Sequence, residues 1–290
     1  MSSVKIGVIG GSGLYAMDGL KKAREVRLRT PFGAPSGAFV IGALDDREVA
    51  FLPRHDVGHR LLPTELPYRA NIWGFKKLGV EWIIGIGAVG SLKEELKPLD
   101  IVLPDQFFDR TNQGRENTFF GGGIAAHVSF ADPACPVLRK ILYDAGSGLG
   151  ATVHDGGTYI NMEGPAFSTR AESRVYRQWG MDVIGMTGIF EAMLAREAEI
   201  CYQMVAMITD YDVWRSGEGY EDVSIETVIA NLRKNASVAQ EIIRTAVRKI
   251  PERRECGCAG ALKYAIITDP RKIPAATKKR LKLIIGKYVK

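Results

Sequence analysis

Val4-Lys5-Ile6-Gly7-Val8-Ile9-Gly10-Gly11-Ser12-Gly13-Leu14 is the stretch whose reading decides the fold. Val4–Ile9 has the short apolar run of a buried strand, and it passes straight into Gly10-Gly11-Ser12-Gly13. Such a loop leaves backbone N–H groups uncovered and sets one hydroxyl among them, which suits an anion. Two familiar loops do not fit. A dinucleotide fingerprint counted from Gly11 needs a third glycine where Ala16 stands. The phosphate loop of nucleotide triphosphatases needs Gly-Lys before Ser or Thr, and none follows. No acidic residue is placed for a ribose about 20 residues on, because Glu25 sits among basic neighbours. A tight turn without any ligand fits the loop taken alone equally well.

Working outward, other strands end in the same manner. Ser36–Gly42 and Glu48–Leu52 pair around Asp45-Asp46, and the second runs into Pro53-Arg54-His55. Trp82–Ile86 ends in the small residues Gly87-Ala88-Val89-Gly90-Ser91. Thr158–Met162 ends in Glu163-Gly164-Pro165, Val183–Met186 at Thr187, and Met204–Thr209 in Asp210-Tyr211-Asp212. Ile101–Leu103 is a short strand closed by Pro104-Asp105. Helices are expected over 67–78, 133–145, 169–179, 191–199, 223–249 and 274–288. The second carries apolar positions at Val137, Leu138, Ile141 and Leu142, and Ser168 caps the third. The segment from the first loop to Phe32 reads as irregular. Alternating strands and helices predict an α/β protein with a mixed central sheet flanked by helices. With no Pro-, Gly- or Ser-rich linker, residues 1–290 are expected to form a single domain.

Ligands of open α/β sheets bind at the carboxyl ends of strands. Four of those ends supply backbone N–H groups, hydroxyls, a guanidinium and an imidazole: Gly11-Ser12-Gly13, Arg54-His55, Gly87-Ala88 and Met186-Thr187. Together they describe a phosphate pocket, partly bidentate through the arginine. The fifth supplies two carboxylates one residue apart. A phosphate site and an acid pair in one cleft suggest chemistry on a bond between them. A capping loop is the plainer reading of the two aspartates.

The composition is that of an ordinary soluble chain, 46% hydrophobic and 25% charged. No apolar run reaches the length of a membrane span and the N-terminus lacks a signal peptide's apolar stretch, so a cytoplasmic protein is expected. The net charge of +6 gathers in the tail, at Lys278-Lys279-Arg280, Lys282, Lys287 and Lys290. A solvated helix face accounts for it, and no aromatic residues interleave as a nucleic-acid groove requires. Neither nucleic acid nor membrane is an expected partner. The cysteines are Cys135, Cys201, Cys256 and Cys258. The Cys-x-Cys pair is too short for a zinc ribbon and no second metal-like pair accompanies it, so no metal is expected. Reduced thiols are the ordinary state in a cytosol. Only six Asn and five Gln occur, however, and intracellular disulfides are a habit of hyperthermophiles.

At these residues the chain resembles the methylthioadenosine phosphorylase family, in the trimer-forming branch of the purine nucleoside phosphorylases. The matching stretches run in order along nearly the whole chain. They include 5–14, Arg54-His55, Asn71-Ile72-Trp73, Gly90-Ser91-Leu92, Asp105-Gln106-Phe107 and Asp109-Arg110-Thr111. Glu163-Gly164-Pro165, Phe167-Ser168, Arg170-Ala171-Glu172-Ser173, Trp179-Gly180, Asp182-Val183-Ile184 and Thr209-Asp210-Tyr211-Asp212 complete them. The resemblance implies a phosphorylase/hydrolase-like fold and phosphorolysis without a cofactor, phosphate being a co-substrate. It implies that Ser12, Arg54, His55, Gly87, Ala88 and Thr187 hold phosphate, Gly87 through its backbone alone. Met186 is implied to meet the ribose through its backbone, Phe167 to pack on the base and Ser168 to line its pocket. By the same resemblance Asp210 is implied to face N7 of the purine and Asp212 the 6-amino group. Ile225, Val228 and Ile229 are implied to surround the 5'-methylthio group, with His127 reaching in from a neighbouring subunit of a trimer or hexamer. Cys256–Cys258, and Cys135–Cys201 beside it, resemble the disulfides of hyperthermophilic archaeal members.

Physical chemistry gives those roles content. Cleaving an N-glycosidic bond builds positive charge on the sugar and negative charge on the departing base. A neutral carboxylic acid at N7 can donate to the base, and like-charge repulsion between Asp210 and Asp212 raises a pKa toward that state. Asp212 as an acceptor favours a 6-amino purine over a 6-oxo one. The chain departs from the family at Gly87, where a threonine is common, at Ser12, where threonine also occurs, and at Phe190, where a proline is usual. A broader nucleoside phosphorylase acting on adenosine, inosine or methylthioinosine is the alternative within the class. A purine-binding regulatory protein on the same scaffold is the alternative outside it.

Overall fold

The structure is a computed structural model describing residues 4–11, 17, 19–215 and 225–289. Its first strands are β1 (Ile6–Gly10), β2 (Lys21–Val26), β3 (Phe39–Leu44) and β4 (Arg47–Pro53), followed by helix α1 (Tyr68–Leu78) and β5 (Trp82–Ser91). Next come β6 (Ile101–Leu103), β7 (Gln106–Arg110), α2 (Pro136–Gly148), β8 (Val153–Asp155), β9 (Thr158–Met162) and α3 (Arg170–Gln178). The chain continues with β10 (Val183–Gly185), α4 (Gly188–Glu197), β11 (Cys201–Asp210), α5 (Ile225–Lys249) and α6 (Ala275–Ile285). Among the described residues the strands form one mixed sheet, in the order β2-β3-β4-β1-β5-β10-β9-β7, with β11 against β5 and β6, and β6 against β8. This is the expected α/β architecture.

The centre of the sheet is covered on both faces because β1, β5 and β11 are apolar on both, as buried parallel strands are. Alternation assigns the sides. Tyr202, Met204, Ala206 and Ile208 of β11 join α1, α4 and the α6 region in one core layer. Cys201, Val205 and Met207 join α2 and α5 in the other.

β5 is the hub, and it corrects the expectation that this strand stops at Ile86. β1 runs parallel to it only as far as Ile9↔Gly85. β10 joins antiparallel only at Gly90 and Ser91. Between these joins one edge of β5 lies open over residues 86–89, while β11 pairs its other edge along nearly its whole length. Small residues permit this crowding: a Cβ on Gly87 would stand 2.8 Å from Met204 Cε, and one on Gly90 3.0 Å from Asp210 Oδ1. Composition reads as a loop where packing makes a strand.

Other differences have equally local causes. β2 occupies part of the segment read as irregular; it is exposed on both faces at the sheet's edge and so carries no alternation to detect. Thr169, not Ser168, caps α3, accepting from the Glu172 N–H in a reciprocal capping box. α4 starts at Gly188, three residues before the expected start, with Thr187 as its N-cap. Buried Phe190 therefore sits in its first turn, 5.2 Å from the Tyr68 ring.

The expected disulfides are not formed. All four cysteines are free thiols. Cys201 Sγ and Cys256 Sγ are 3.3 Å apart, well beyond the roughly 2.05 Å of a sulfur–sulfur bond. Neither Cys256–Cys258 nor Cys135–Cys201 is a bonded pair, because the strands and turns that carry these residues gather all four into one cluster.

Candidate active site

A cleft of about 270 Å³ opens at the gap in the β5 edge. Arg54, His55, Gly87, Ala88, Thr187, Met186, Phe167, Asp210, Asp212 and Val228 all line it, so segments distant in sequence converge as the strand ends predicted. Gly11 lines it too, while Ser12 lies outside the described residues, as does the side chain of Ile225. Three expected residues do not line the cleft. Ile229 is 43% exposed on α5. Ser168 is buried behind the cleft, its Oγ 3.8 Å from Met162 Sδ. His127 is exposed beside the bridge pairing Ala126 with Ile266.

Arg54 is built differently from the bidentate phosphate clamp that its type suggests. It is 2% exposed, and its fork grips Glu191: Nε donates to Oε1 at 2.5 Å and Nη2 to Oε2 at 3.0 Å. Nη2 also donates to the Ile9 carbonyl at 3.3 Å and Nη1 to the Ile86 carbonyl at 2.6 Å. Four of the five guanidinium N–H groups are thus used, and one on Nη1 remains for a ligand. Burial lowers the Arg54 pKa, but the Glu191 carboxylate outweighs it and holds the group charged. Tyr202 donates its hydroxyl to Glu191 Oε2 at 2.9 Å and completes the carboxylate's partners. Glu191 was visible in sequence only as a helix residue, and nothing there marked it as the partner of Arg54.

Since that ion pair is internally neutral, an anion here must rely on oriented dipoles. The positive end of α4 begins at Thr187, on the cleft wall. On the open edge of β5 the Ile86 carbonyl turns toward Arg54, and strand alternation directs the Ala88 N–H to the same side. Burial pushes the His55 pKa down to about 4 against the hydrogen bond to Leu61, and Arg54 lowers it further. The imidazole is therefore neutral near pH 7. Its Nδ1–H donates to the Leu61 carbonyl at 2.8 Å, which leaves Nε2 as an acceptor. The His59 ring stacks on it at 4.2 Å.

The acid pair is placed by a bulge. β11 pairs Ile208 with Val89 and then Asp210 with Gly90, so Thr209 is an extra residue and the strand bends there. Asp210 Oδ1 accepts from the Asp212 N–H at 2.8 Å and Oδ2 from Thr209 Oγ1 at 2.7 Å. Burial raises the Asp210 pKa, and the Asp212 charge adds to it. Thr209 Oγ1 also lies 3.3 Å from the Val89 carbonyl, so a proton on Asp210 Oδ2 is accommodated by turning that hydroxyl. Asp212 has a left-handed backbone, φ 49°, which Asp tolerates better than most residues. Burial raises its pKa against the nearby hydroxyls of Ser173 and Ser168 and the Val213 N–H. Its Oδ2 is buried and makes no well-formed hydrogen bond among the described residues, so it can accept from a ligand as well as from the Ser173 hydroxyl beside it.

Arg115, which sequence reading passed over, braces the wall. Its Nε donates to Glu163 Oε1 at 2.9 Å and its Nη1 to the Met186 carbonyl at 2.7 Å, which ties the Met186 backbone to the wall. The rest of the cleft is apolar, including Met162, Ile184, Met207 and Leu232.

Residues 5–248 match the phosphorylase superfamily. The S-methyl-5'-thioadenosine phosphorylase of Geobacter sulfurreducens is 62% identical, over 98% of this chain and 99% of its own. That of Koribacter versatilis is 57% identical over 98% and 96%. A methylthioadenosine phosphorylase from an antarctic soil metagenomic library superimposes with a TM-score of 0.92 at 48% identity, over 98% of this chain and 99% of its own. A variant of the adenosine/methylthioadenosine phosphorylase of Schistosoma mansoni, in complex with methylthioadenosine, does so at 0.82 and 35% identity, over 90% and 96%.

Proposed function

The chain belongs to the phosphorylase superfamily, and from that premise we propose that it cleaves S-methyl-5'-thioadenosine with inorganic phosphate. The products are adenine and 5-methylthio-α-D-ribose 1-phosphate, which makes it a pentosyltransferase of methionine and purine salvage. The observation that carries this reading is a raised-pKa Asp210 beside the buried Asp212 Oδ2, in the same cleft as Arg54 and the α4 N-terminus.

Phosphate sits against the Gly87 and Ala88 backbone, Thr187, the remaining Arg54 N–H and Gly11 at the start of the first loop. His55 Nε2 accepts from a protonated phosphate oxygen. As the C1'–N9 bond breaks, its electron pair leaves with the base and a phosphate oxygen bonds to C1'. Protonated Asp210 gives its proton to N7, so adenine departs neutral. Asp212 Oδ2 accepts from the 6-amino group, which a 6-oxo purine lacks. The Met186 N–H meets the ribose, Phe167 covers the base, and Val228 faces the 5'-methylthio group. No cofactor is needed. His127 is exposed on its own subunit, consistent with service to a neighbouring one in a trimer or hexamer. Among the described residues no helix is long and apolar enough to cross a membrane.

Adenosine is the competitor to test, given how the Schistosoma mansoni relative is named. Phe190 gives no support to a wider range, since it is buried and does not line the cleft. The test is base release from methylthioadenosine, adenosine, inosine and methylthioinosine, each with and without phosphate. Adenine should appear from methylthioadenosine only when phosphate is present, and the 6-oxo nucleosides should lag. Equal turnover of inosine and methylthioadenosine contradicts the role given to Asp212.

A further inference from the structure

We propose that Cys135, Cys201, Cys256 and Cys258 form a mononuclear tetrathiolate site for a divalent ion of the zinc class. The four Sγ atoms all lie within 4.8 Å of one another. A tetrahedral centre with metal–sulfur bonds of about 2.3 Å sets its sulfurs about 3.8 Å apart, so small side-chain adjustments complete the shell. A multi-iron cluster spreads its cysteines wider than this.

The ligands come from separate parts of the fold that other contacts already fix. Cys135 caps α2, and its N–H donates to the Tyr202 carbonyl at 2.9 Å. Cys201 opens β11, and its N–H donates to the Glu81 carbonyl at 2.9 Å. Cys256 caps the short turn at 257–260 that begins the C-terminal segment, and Cys258 lies within it. Cys135, Cys201 and Cys258 are buried, and Cys256 is half-buried, which leaves a route for an ion. Four thiolates are the donor set that a soft divalent ion of the zinc class prefers.

The site is structural. Cys201 and Asp210 stand at opposite ends of β11, about 30 Å apart at the rise of an extended strand. The ion instead ties the C-terminal segment to the sheet. Leu262, Ile273, Leu281 and Ile284 of that segment are buried in the layer containing α4, whose first turn borders the cleft. One Cys-x-Cys looked insufficient for a metal because its partners lie far away in sequence.

The experiment uses the full chain, purified with reductant, stripped with a chelator and titrated with Co²⁺. One equivalent should bring up thiolate-to-cobalt charge transfer and the visible bands of a tetrahedral sulfur site, and one equivalent of Zn²⁺ should displace it. Zn²⁺ should raise the melting temperature of the stripped protein. The double variant Cys256→Ser, Cys258→Ser should bind Co²⁺ at least about 100-fold more weakly, and the wild-type titration decides the matter if that variant fails to fold. Absence of the thiolate bands overturns the proposal. So does a protein whose four cysteines, mapped without reductant, are found joined in two disulfides. Both readouts are taken without substrate, so they stand apart from the fate of the phosphorolysis reading.

Discussion

Removing the Glu191 carboxylate tests how the phosphate end of the cleft is built. Glu191→Ala deletes both bonds to Arg54, at 2.5 and 3.0 Å, and leaves a guanidinium that is 2% exposed without its counter-ion. It also strands the Tyr202 hydroxyl. Breaking a buried pair from one side costs about 3–5 kcal/mol, because the surviving charge stays desolvated. For a chain of 290 residues the unfolding entropy is roughly 0.6 kcal/mol/K, so the melting temperature should fall by about 5–8 °C. Scanning calorimetry in phosphate-free buffer reads this directly. Phosphate should raise the variant's melting temperature more than the wild type's, since it brings an anion to the Nη1 side of the same cation. Glu191→Gln, which keeps shape but not charge, should fall between the two. A Glu191→Ala protein melting within about 1 °C of wild type, with an equal response to phosphate, refutes the claim that Glu191 is what holds Arg54 in place.

Three further outcomes follow from single side chains. Burial pushes Glu197 up to about 7, against hydrogen bonds from the Phe119 N–H and Thr118 Oγ1, so the folded state holds its proton more tightly than the unfolded state does. Stability is therefore lost as pH rises from about 4.5 to 7; Glu197→Gln should gain on the order of 2 kcal/mol at pH 8 and little at pH 4, by urea titration at both values. Gly87→Thr should lower the KM for phosphate several-fold by adding a hydroxyl, because the nearest atom to a new Cβ is the flexible Met204 Cε tip; an unchanged or higher KM contradicts this. Asp212→Asn replaces an obligate acceptor with an amide that can donate, and should shift the kcat/KM ratio toward 6-oxo nucleosides by about tenfold or more, as 1–3 kcal/mol of changed hydrogen bonding implies; a fixed ratio removes Asp212 from specificity.

What could be read from the sequence was whatever carries a local pattern. The strands ending at Gly10, Pro53 and Asp210 announce themselves by apolar runs meeting polar clusters, and the cleft forms where those ends meet. What escaped has no local pattern. Gly87 to Gly90 look like a loop, and only the fit of Met204 and Asp210 against absent side chains shows why they form a strand. β2 sits at an exposed edge and has no buried face to alternate with. Arg54 reads as a phosphate clamp until its partner, 137 positions away, is seen to occupy the fork. The cysteines invite pairing along the chain, whereas the cluster is made by the N-terminal end of α2 and the start of β11 meeting the C-terminal segment.

The proton on Asp210 is the centre of the account, and a leaving group that needs no proton isolates it. Asp210→Ala should slow adenine release from methylthioadenosine by about 10²–10⁴-fold. The same variant should keep close to wild-type phosphorolysis of a 5-methylthioriboside bearing 4-nitrophenolate in place of adenine, followed by its colour. Equal losses on both substrates would contradict donation from Asp210 to the departing base.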